Sequence, residues 1–293
     1  MQNIVNSYDN DSKVLKPINM MKITNSEFTH LTKLIYERFG INLSMKKRGF
    51  IVSRLQKLLR AEGFKTFKDY YKNVLDDKSG TALTQLANYI STNYTFFNRE
   101  NVHFDYFYKT ALNEIVNVLK RQESNDIRIW CAGCSTGEEP YMLMMLMHEF
   151  FGSNYISWNA GILASDISEK ALKIAQAGVY AGEQVKLIPP VLRNKYLSKV
   201  GKEHFAIKPM IKKEVTFRRF NLMSPQFPFK KPFHIIFCRN VMIYFDKPTR
   251  DALVSRYYNF TVPGGYLFIG HSESLTKNEC PYKYIMPALY RKV

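Results

Sequence analysis

A glycine-containing turn between a predicted strand and a predicted helix constrains the fold of this chain more than any other segment. Residues 127–140 read IRIWCAGCSTGEEP, an apolar run that breaks into small residues before two carboxylates and a proline. The helical-looking stretch 141–150 follows at once. This order predicts a buried strand, a tight turn and a helix N-terminus. In open α/β sheets, ligands bind in the crevice beyond the carboxyl ends of the strands, and glycine lets the backbone approach a ligand closely.

The residues that follow the turn favour a cationic or hydroxyl-rich ligand over a phosphate. A phosphate-binding loop carries Lys with Ser or Thr after its second glycine, whereas this chain has Glu138 and Glu139 there. Tandem carboxylates suit the positive end of a helix dipole but repel a pyrophosphate. Asp166 follows the next apolar run, where nucleoside-binding folds carry the acid that binds a ribose diol. S-adenosylmethionine fits such a crevice, although a NAD-type turn or a turn without ligand stays open at this point.

The charge balance of the chain narrows the class of partner without deciding it. Lys and Arg number 42 against 25 Asp and Glu, which gives a formal net charge of +17. Such an excess attracts polyanions, so nucleic acid, an anionic membrane and an acidic protein surface all remain candidates. No apolar run reaches the length of a membrane span and no signal peptide is evident, so we expect a cytoplasmic protein. Cys131 and Cys134 flank the turn without a second close pair, which predicts reduced thiols and no metal site.

The first part of the chain predicts a small helical bundle. Residues 1–21 are polar and aperiodic, and we expect a flexible tail there. Apolar spacing within residues 22–90 predicts helices with short connections, the first capped by Asn25 and the third by Thr66. Basic side chains with almost no interspersed acids cover the outer face of the second helix, which favours docking of an acidic partner over plain solvation. The candidate docking residues are Arg48, Arg54, Lys57 and Arg60.

The rest of the chain predicts an α/β domain. Residues 91–122 are expected to form a connector and a linker helix. Strands alternate with helices through residues 123–293, which predicts a mostly parallel, doubly wound sheet. The segment of about 179–214 interrupts the alternation and is expected to be a small β insertion, with a strand pair near 205–207. A closing hairpin is expected around Pro287.

Six segments of the chain, taken in order, resemble the CheR family of chemotaxis-receptor glutamate O-methyltransferases. They read NYTFFNRE, CSTGEEPY, ASDIS, NL, FCRNVMIYFD and GHSESL. The resemblance runs from about residue 22 to the C-terminus and implies a Rossmann-like S-adenosylmethionine methyltransferase fold with a small all-α N-terminal domain. It also implies methyl transfer to receptor glutamates, with a glutamyl methyl ester and S-adenosylhomocysteine as products and no metal.

The resemblance also implies which residues form the site. Arg99 and Tyr244 are expected nearest the transferred methyl group, and Glu139 rather than Glu138 is expected to face the cofactor. A glutamate with a pKa of about 4.3 is already an anion near neutral pH, so catalysis rests on positioning rather than on a base. The implied cofactor-binding residues are Asn93, Thr95, Arg99, Glu139, Asp166, Asn221, Leu222, Arg239 and Asn240.

The implied partners are the acidic cytoplasmic helices of chemotaxis receptors. Some family members bind a tether peptide at the receptor C-terminus through a small β subdomain, and the matching segment 199–208 is short here. We therefore expect a monomer that uses no tether peptide, binds no nucleic acid and does not enter the membrane. An RNA methyltransferase would also explain the positive charge, and a non-catalytic S-adenosylmethionine-binding receptor scaffold is a further alternative. A dinucleotide oxidoreductase is disfavoured because a clear G-x-G-x-x-G motif is lacking.

Overall fold

Four N-terminal helices share one apolar core in the computed structural model, which describes residues 21–276 and 280–293. The predicted flexible tail, residues 1–21, lies outside the described residues except for Met21. A 3₁₀ turn at Met45–Lys47 precedes the second helix. The helices are α1 (Asn25–Phe39), α2 (Arg48–Ala61), α3 (Phe67–Asp76) and α4 (Thr81–Ile90).

Side-chain caps fix the starts of two of these helices. Thr24 Oγ1 accepts from the Glu27 N–H at 3.1 Å, and the Glu27 carboxylate accepts from the Thr24 N–H at 2.7 Å. This reciprocal pair is a capping box, so Asn25 is the first helical residue and its prediction as the cap is wrong by one position. Thr66 caps α3 as predicted, accepting from the Asp69 N–H.

A long helical segment leads from the connector into the α/β part of the chain. It consists of α5 (Asn101–Tyr106), a π turn (Phe107–Ala111) and α6 (Leu112–Arg121), and it lies within the predicted connector and linker helix. The following elements are β1 (Asp126–Ala132), α7 (Glu138–Phe151), β2 (Asn159–Asp166), α8 (Glu169–Ala177), β3 (Val179–Ala181), α9 (Gly182–Val185), α10 (Pro190–Tyr196), β4 (Leu197–Val200), β5 (His204–Ile207), α11 (Pro209–Lys212), β6 (Val215–Arg219), β7 (Phe233–Cys238), α12 (Lys247–Asn259), β8 (Thr261–Ile269), β9 (Lys283–Met286) and β10 (Leu289–Arg291).

Seven strands form a mostly parallel sheet in the order β6-β2-β1-β7-β8-β10-β9. The first five run parallel, and β10 is antiparallel to both β8 and β9. Every residue of β7 is buried, as expected for a strand with helices on both faces. The chain order reverses between β1 and β7, so a crevice opens at their carboxyl ends. This confirms the predicted doubly wound sheet and the closing hairpin.

The insertion forms a second, three-stranded sheet in the order β3-β5-β4. The sequence predicted only a strand pair there, because β3 has three residues and directly follows the Gly178 cap of α8. Tyr180 and Ile207 are buried, so one face of this small sheet packs on the main core.

Polar contacts hold the four-helix part against the carboxyl-end edge of the main sheet. The Asn221 side chain donates to the Arg38 carbonyl at 2.7 Å, and the Tyr36 hydroxyl donates to Asp246 at 2.9 Å. Both contacts join the C-terminal half of α1 to loops that follow strands. The helices therefore cover the crevice.

Among the helices of the described ranges, none has the length and apolar character that a membrane span requires.

Candidate active site

A cavity lies at the carboxyl ends of β1, β2 and β7, with about 1080 Å³ of empty space that includes open solvent at its mouth. The connector after α4 forms one wall, and the turn after β1 forms another. The structure brings together all ten residues predicted from the resemblance to bind cofactor or to lie near the transferred methyl group. They are Asn93, Thr95, Arg99, Glu139, Asp166, Asn221, Leu222, Arg239, Asn240 and Tyr244.

The turn after β1 is fixed by left-handed backbone and by hydrogen bonds to the end of β2. Gly133 has a φ of 100°, and its Cβ position lies 2.3 Å from Val241 Cγ2, so only glycine fits there. Its N–H donates to the Ser165 carbonyl at 2.8 Å. Ser135 has a φ of 50° and its N–H donates to Asp166 Oδ2 at 2.8 Å. The turn is therefore rigid and leaves the crevice free for a ligand.

The two tandem carboxylates lie in different surroundings. Glu138 is buried outside the cavity lining, and both of its oxygens accept from the Thr136 hydroxyl. Glu139 lines the cavity and lies 3.0 Å from Arg239 Nη1. Burial raises the pKa of both carboxyls, and at Glu139 the charge of Arg239 opposes that rise. The geometry thus favours Glu139 as the acid that faces a ligand.

Arg239 is a buried cation between two carboxylates. Its side chain is only 3 % exposed, and Nη2 lies 3.1 Å from Glu100 Oε2 while Nη1 contacts Glu139. It also donates to the Arg99 carbonyl, and its guanidinium lies 5.3 Å from the centre of the Phe104 ring. A buried charge needs such partners to offset the loss of water. Arg239 therefore joins the walls of the cavity.

Glu100, a partner of the cavity residues Arg239 and Asn240, was not predicted from the sequence. It has a left-handed backbone with a φ of 55°, and its carboxylate accepts from Arg239 and from Asn240 Nδ2, the latter at 3.2 Å. Burial alone would raise the pKa of Glu100, but Arg239 and Asn240 hold it below its usual value. The only signal in the sequence was an acid next to Arg99 in the motif. The pairing of Glu100 with Arg239, 139 positions away, could not be predicted from a single sequence.

Glu273 was also missed, and it fixes the loop that follows β7. Its buried carboxylate accepts from three backbone N–H groups, those of Asn240 at 3.0 Å, Ile243 at 3.1 Å and Gly270 at 2.5 Å. Asn240 has a left-handed φ of 59°, and a Cβ at Gly270 would lie 2.8 Å from its backbone nitrogen. Glu273 therefore holds Asn240 in the cavity wall.

Arg99 lines the cavity and lies beside two aromatic rings that contact each other. Its guanidinium carbon is 5.9 Å from the ring centre of Tyr94 and 5.7 Å from that of Phe96. Nη1 donates to the Tyr94 carbonyl at 3.0 Å, and the side chain is 26 % exposed. The guanidinium is thus held in place with part of its surface facing solvent.

Tyr244 ends the 3₁₀ turn Met242–Tyr244 and meets the four-helix part of the chain. Its carbonyl accepts from the Asn42 N–H at 2.8 Å. Lys47 Nζ lies 6.0 Å from the centre of its ring. The turn before α2 therefore lies next to Tyr244, which lines the cavity.

The predicted docking residues differ in how exposed they are and in the contacts they make within the four-helix part. Arg48 donates to a carbonyl of the segment before α1, and Arg54 Nη1 donates to the Ser91 carbonyl at 2.5 Å, beyond the end of α4. These two arginines support the fold of the four-helix part. Lys57 and Arg60 are exposed on α2.

A group of possible metal ligands lies beside the ion pairs. Glu100, His103 and His271 each place one ligand-type atom within 4.8 Å of the others. Burial lowers the pKa of His103 to about 4, and neither of its ring nitrogens has a hydrogen-bond partner among the described residues. The Glu100 carboxylate already forms an ion pair with Arg239. A metal cation bound there would be repelled by the charge of the guanidinium. We assign Glu100 to Arg239, and the absence of a metal stays a prediction.

Two segments of the chain match the two domains of one known family. Residues 26–91 match CheR methyltransferase, all-alpha domain, and residues 93–288 match CheR methyltransferase, SAM binding domain. The chain belongs to the CheR family. This confirms the resemblance, and with it the S-adenosylmethionine-dependent methyltransferase class and the α/β fold with an all-α N-terminal part.

Relatives of the same family match over nearly their full lengths. The chain is 43 % identical to the chemotaxis protein methyltransferase of Borreliella burgdorferi over 273 residues, which are 93 % of this chain and 96 % of that protein. It is 33 % identical to the chemotaxis protein methyltransferase of Escherichia coli over 92 % of this chain and 91 % of that protein. It is 35 % identical to a probable chemotaxis protein methyltransferase of Rhizobium etli, with coverages of 83 % and 90 %.

Replacement of Glu273 by glutamine tests the support of the cavity wall. Glu273→Gln removes a charged acceptor shared by three backbone N–H groups, so we expect a loss of about 2 kcal/mol in the free energy of unfolding. Affinity for S-adenosylmethionine should fall as well, because Asn240 is no longer held in place. Denaturant unfolding and calorimetry measure the two effects. Glu203→Gln, an exposed site between β4 and β5, is the control; equal stability of both variants would contradict the assignment.

Proposed function

We propose that the chain transfers a methyl group from S-adenosylmethionine to glutamate carboxylates of chemotaxis receptors, giving glutamyl methyl esters and S-adenosylhomocysteine. The observation that carries this function is the convergence of ten motif residues, from segments up to 151 positions apart, on one cavity of a CheR-family chain. Family membership favours neither the RNA methyltransferase nor the non-catalytic scaffold. Bound S-adenosylmethionine supplies a sulfonium methyl group for in-line displacement.

The lining of the cavity fits that cofactor. Glu139 and Asp166 present carboxylate to a ligand with cationic and hydroxyl groups, and Gly133 lets it approach the backbone. We assign Asp166 to the ribose, since its carboxylate is already oriented by N–H donors from Ser135 and Ser168. Asn93, Thr95 and Asn240 offer neutral polar groups on the remaining wall.

The side chains of Asn221 and Arg239 already make hydrogen bonds or ion pairs within the protein. The Asn221 side chain is occupied by the Arg38 carbonyl and the Met223 N–H, so we assign its backbone and that of Leu222 to the cofactor. Arg239 is occupied by Glu100 and Glu139, so its role is to position the wall. Removing Arg239 would leave two buried carboxylates close together, which destabilises the site.

Arg99 and Tyr244 are assigned to the reacting groups. The substrate carboxylate is an anion at neutral pH, and the partly exposed guanidinium of Arg99 can attract and orient it at the mouth. Tyr244 lines the same cavity, and we assign it to fixing the attacking geometry. Holding two reactants in attack geometry supplies up to roughly 7–11 kcal/mol in favourable cases. A general base is not needed.

We assign residues 22–90 to receptor docking, residues 91–122 to a connector and linker helix, and residues 123–293 to methyl transfer. The exposed cations of α2 suit the acidic cytoplasmic helices of receptors. The turn between β4 and β5 is short, and we retain the proposal of a cytoplasmic monomer that acts without a receptor tether peptide. Nucleic-acid binding and membrane insertion form no part of this function.

Replacement of Arg99 tests its catalytic assignment. Arg99→Ala should lower kcat by about 100-fold or more, because misplacing a reacting carboxylate costs that much. Arg99→Lys keeps the charge but not the planar fork, and should recover only part of the rate. Rates with a receptor fragment and cofactor affinity by calorimetry are measured together. Near-normal turnover by Arg99→Ala would remove Arg99 from the mechanism.

Charge reversal on α2 tests the docking surface without disturbing the fold. Lys57→Glu should raise KM for a receptor fragment about fivefold at low salt, and the effect should shrink as salt is added. Cofactor affinity should not change. Lys120→Glu, an exposed change on α6, is the matched control. The docking assignment fails if both variants raise KM equally or if Lys57→Glu weakens the cofactor instead.

A further inference from the structure

Two exposed aromatic side chains, Tyr94 in the cavity lining and Phe50 on α2, lie on segments that Arg54 joins. Phe50 on α2 is 43 % exposed, and Tyr94 on the connector is 73 % exposed although it also lines the cavity. Arg54 connects the two segments, since its guanidinium lies 4.2 Å from the Phe50 ring centre and donates to the Ser91 carbonyl. Exposed aromatic rings are a feature of binding surfaces.

Both rings are held in position. The Tyr94 carbonyl accepts from Arg99, and the Tyr94 ring packs edge-on to Phe96 with 5.9 Å between ring centres. Phe50 lies against Arg54, which is fixed by the carbonyls that end α4. A contact surface that is ordered before binding loses less entropy when a partner arrives. Each ring therefore offers apolar surface that is ordered before binding.

Positive charge borders this apolar surface. Lys46 and Lys47 are exposed in the turn before α2, and Lys47 reaches over the ring of Tyr244. Lys57 is exposed further along the same helix. A surface of rings bordered by cations is complementary to a helix that carries acidic and apolar side chains together.

We propose that Phe50 and Tyr94 bind apolar side chains next to the methylated glutamate on an amphipathic acidic receptor helix, and so select which glutamates are methylated. The inference rests on the proposed function, which supplies the acidic helix. Side chains three or four positions apart are neighbours on a helix surface. A receptor glutamate in the cavity therefore brings the neighbouring receptor side chains towards Phe50 and Tyr94. The lysines attract the helix from a distance, and the rings recognise the residues one turn away.

Truncation of the rings separates this role from cofactor binding. Tyr94→Ala and Phe50→Ala should each weaken receptor binding, and raise KM for the receptor, by about tenfold. This is the effect expected for an aromatic side chain that becomes buried when the partner binds. Direct binding of a receptor fragment without cofactor, KM, cofactor affinity and the melting temperature are measured for each variant. Cofactor affinity should stay at the wild-type value in Phe50→Ala, because Phe50 is not among the residues that line the cavity. Tyr94 lines the cavity and contacts Arg99, so kcat is measured for Tyr94→Ala as well. Tyr284→Ala, a 49 % exposed tyrosine on β9, should change nothing.

A second arm changes the receptor instead of the enzyme. Alanine is placed at the apolar positions one turn from the methylated glutamate, and binding is measured with wild type and with Tyr94→Ala. The two changes should be non-additive, because each removes the same contact. The aromatic effect should also persist in high salt, where the effect of Lys57→Glu fades.

Each outcome decides one of the two proposals. Normal receptor binding by both alanine variants, or a loss of cofactor affinity by Phe50→Ala equal to its loss of receptor affinity, would overturn the role of the rings. Additive effects of the enzyme and receptor changes would do the same. If the wild type methylates no receptor fragment, the proposed function fails and this inference falls with it.

Discussion

The buried guanidinium of Arg239 holds together the segments that form the inner wall of the cavity. Its carboxylate partners, Glu100 and Glu139, lie before α5 and in the first turn of α7, while Arg239 directly follows β7. A buried cation is stable only when opposite charge and hydrogen-bond acceptors surround it. The same charge therefore positions three segments that are distant in sequence. Glu273 adds a second anchor by binding the backbone of the loop after Arg239.

Much of the fold and the position of the site could be predicted from the sequence because both depend on local patterns. Apolar runs that end in small residues marked the strands, and the turn at Gly133 marked the carboxyl-end crevice where ligands bind. Asp166 was placed at the cavity by its position after a strand alone. The family motifs then supplied the remaining cavity residues, including Arg99 and Tyr244, which lie on segments without a clear period.

The residues that were missed act through partners far away in the chain. Glu100 depends on Arg239 and Glu273 depends on Asn240, and neither pairing leaves a trace in local composition. Arg54 was assigned to docking because it lies on a basic helix face, yet its guanidinium binds the carbonyls at the end of α4. A charge pattern shows which side of a helix is polar. It does not show which of those charges bind within the protein and which remain for a partner.

Methyl transfer to a receptor is the central claim, and one labelling experiment tests it most directly. The protein is incubated with methyl-labelled S-adenosylmethionine and receptor cytoplasmic fragments, and separately with RNA. The account predicts label on the receptor that mild base releases as methanol, because the product is a carboxylate methyl ester. Base-stable label on RNA would contradict it. So would cofactor binding without label on any receptor fragment.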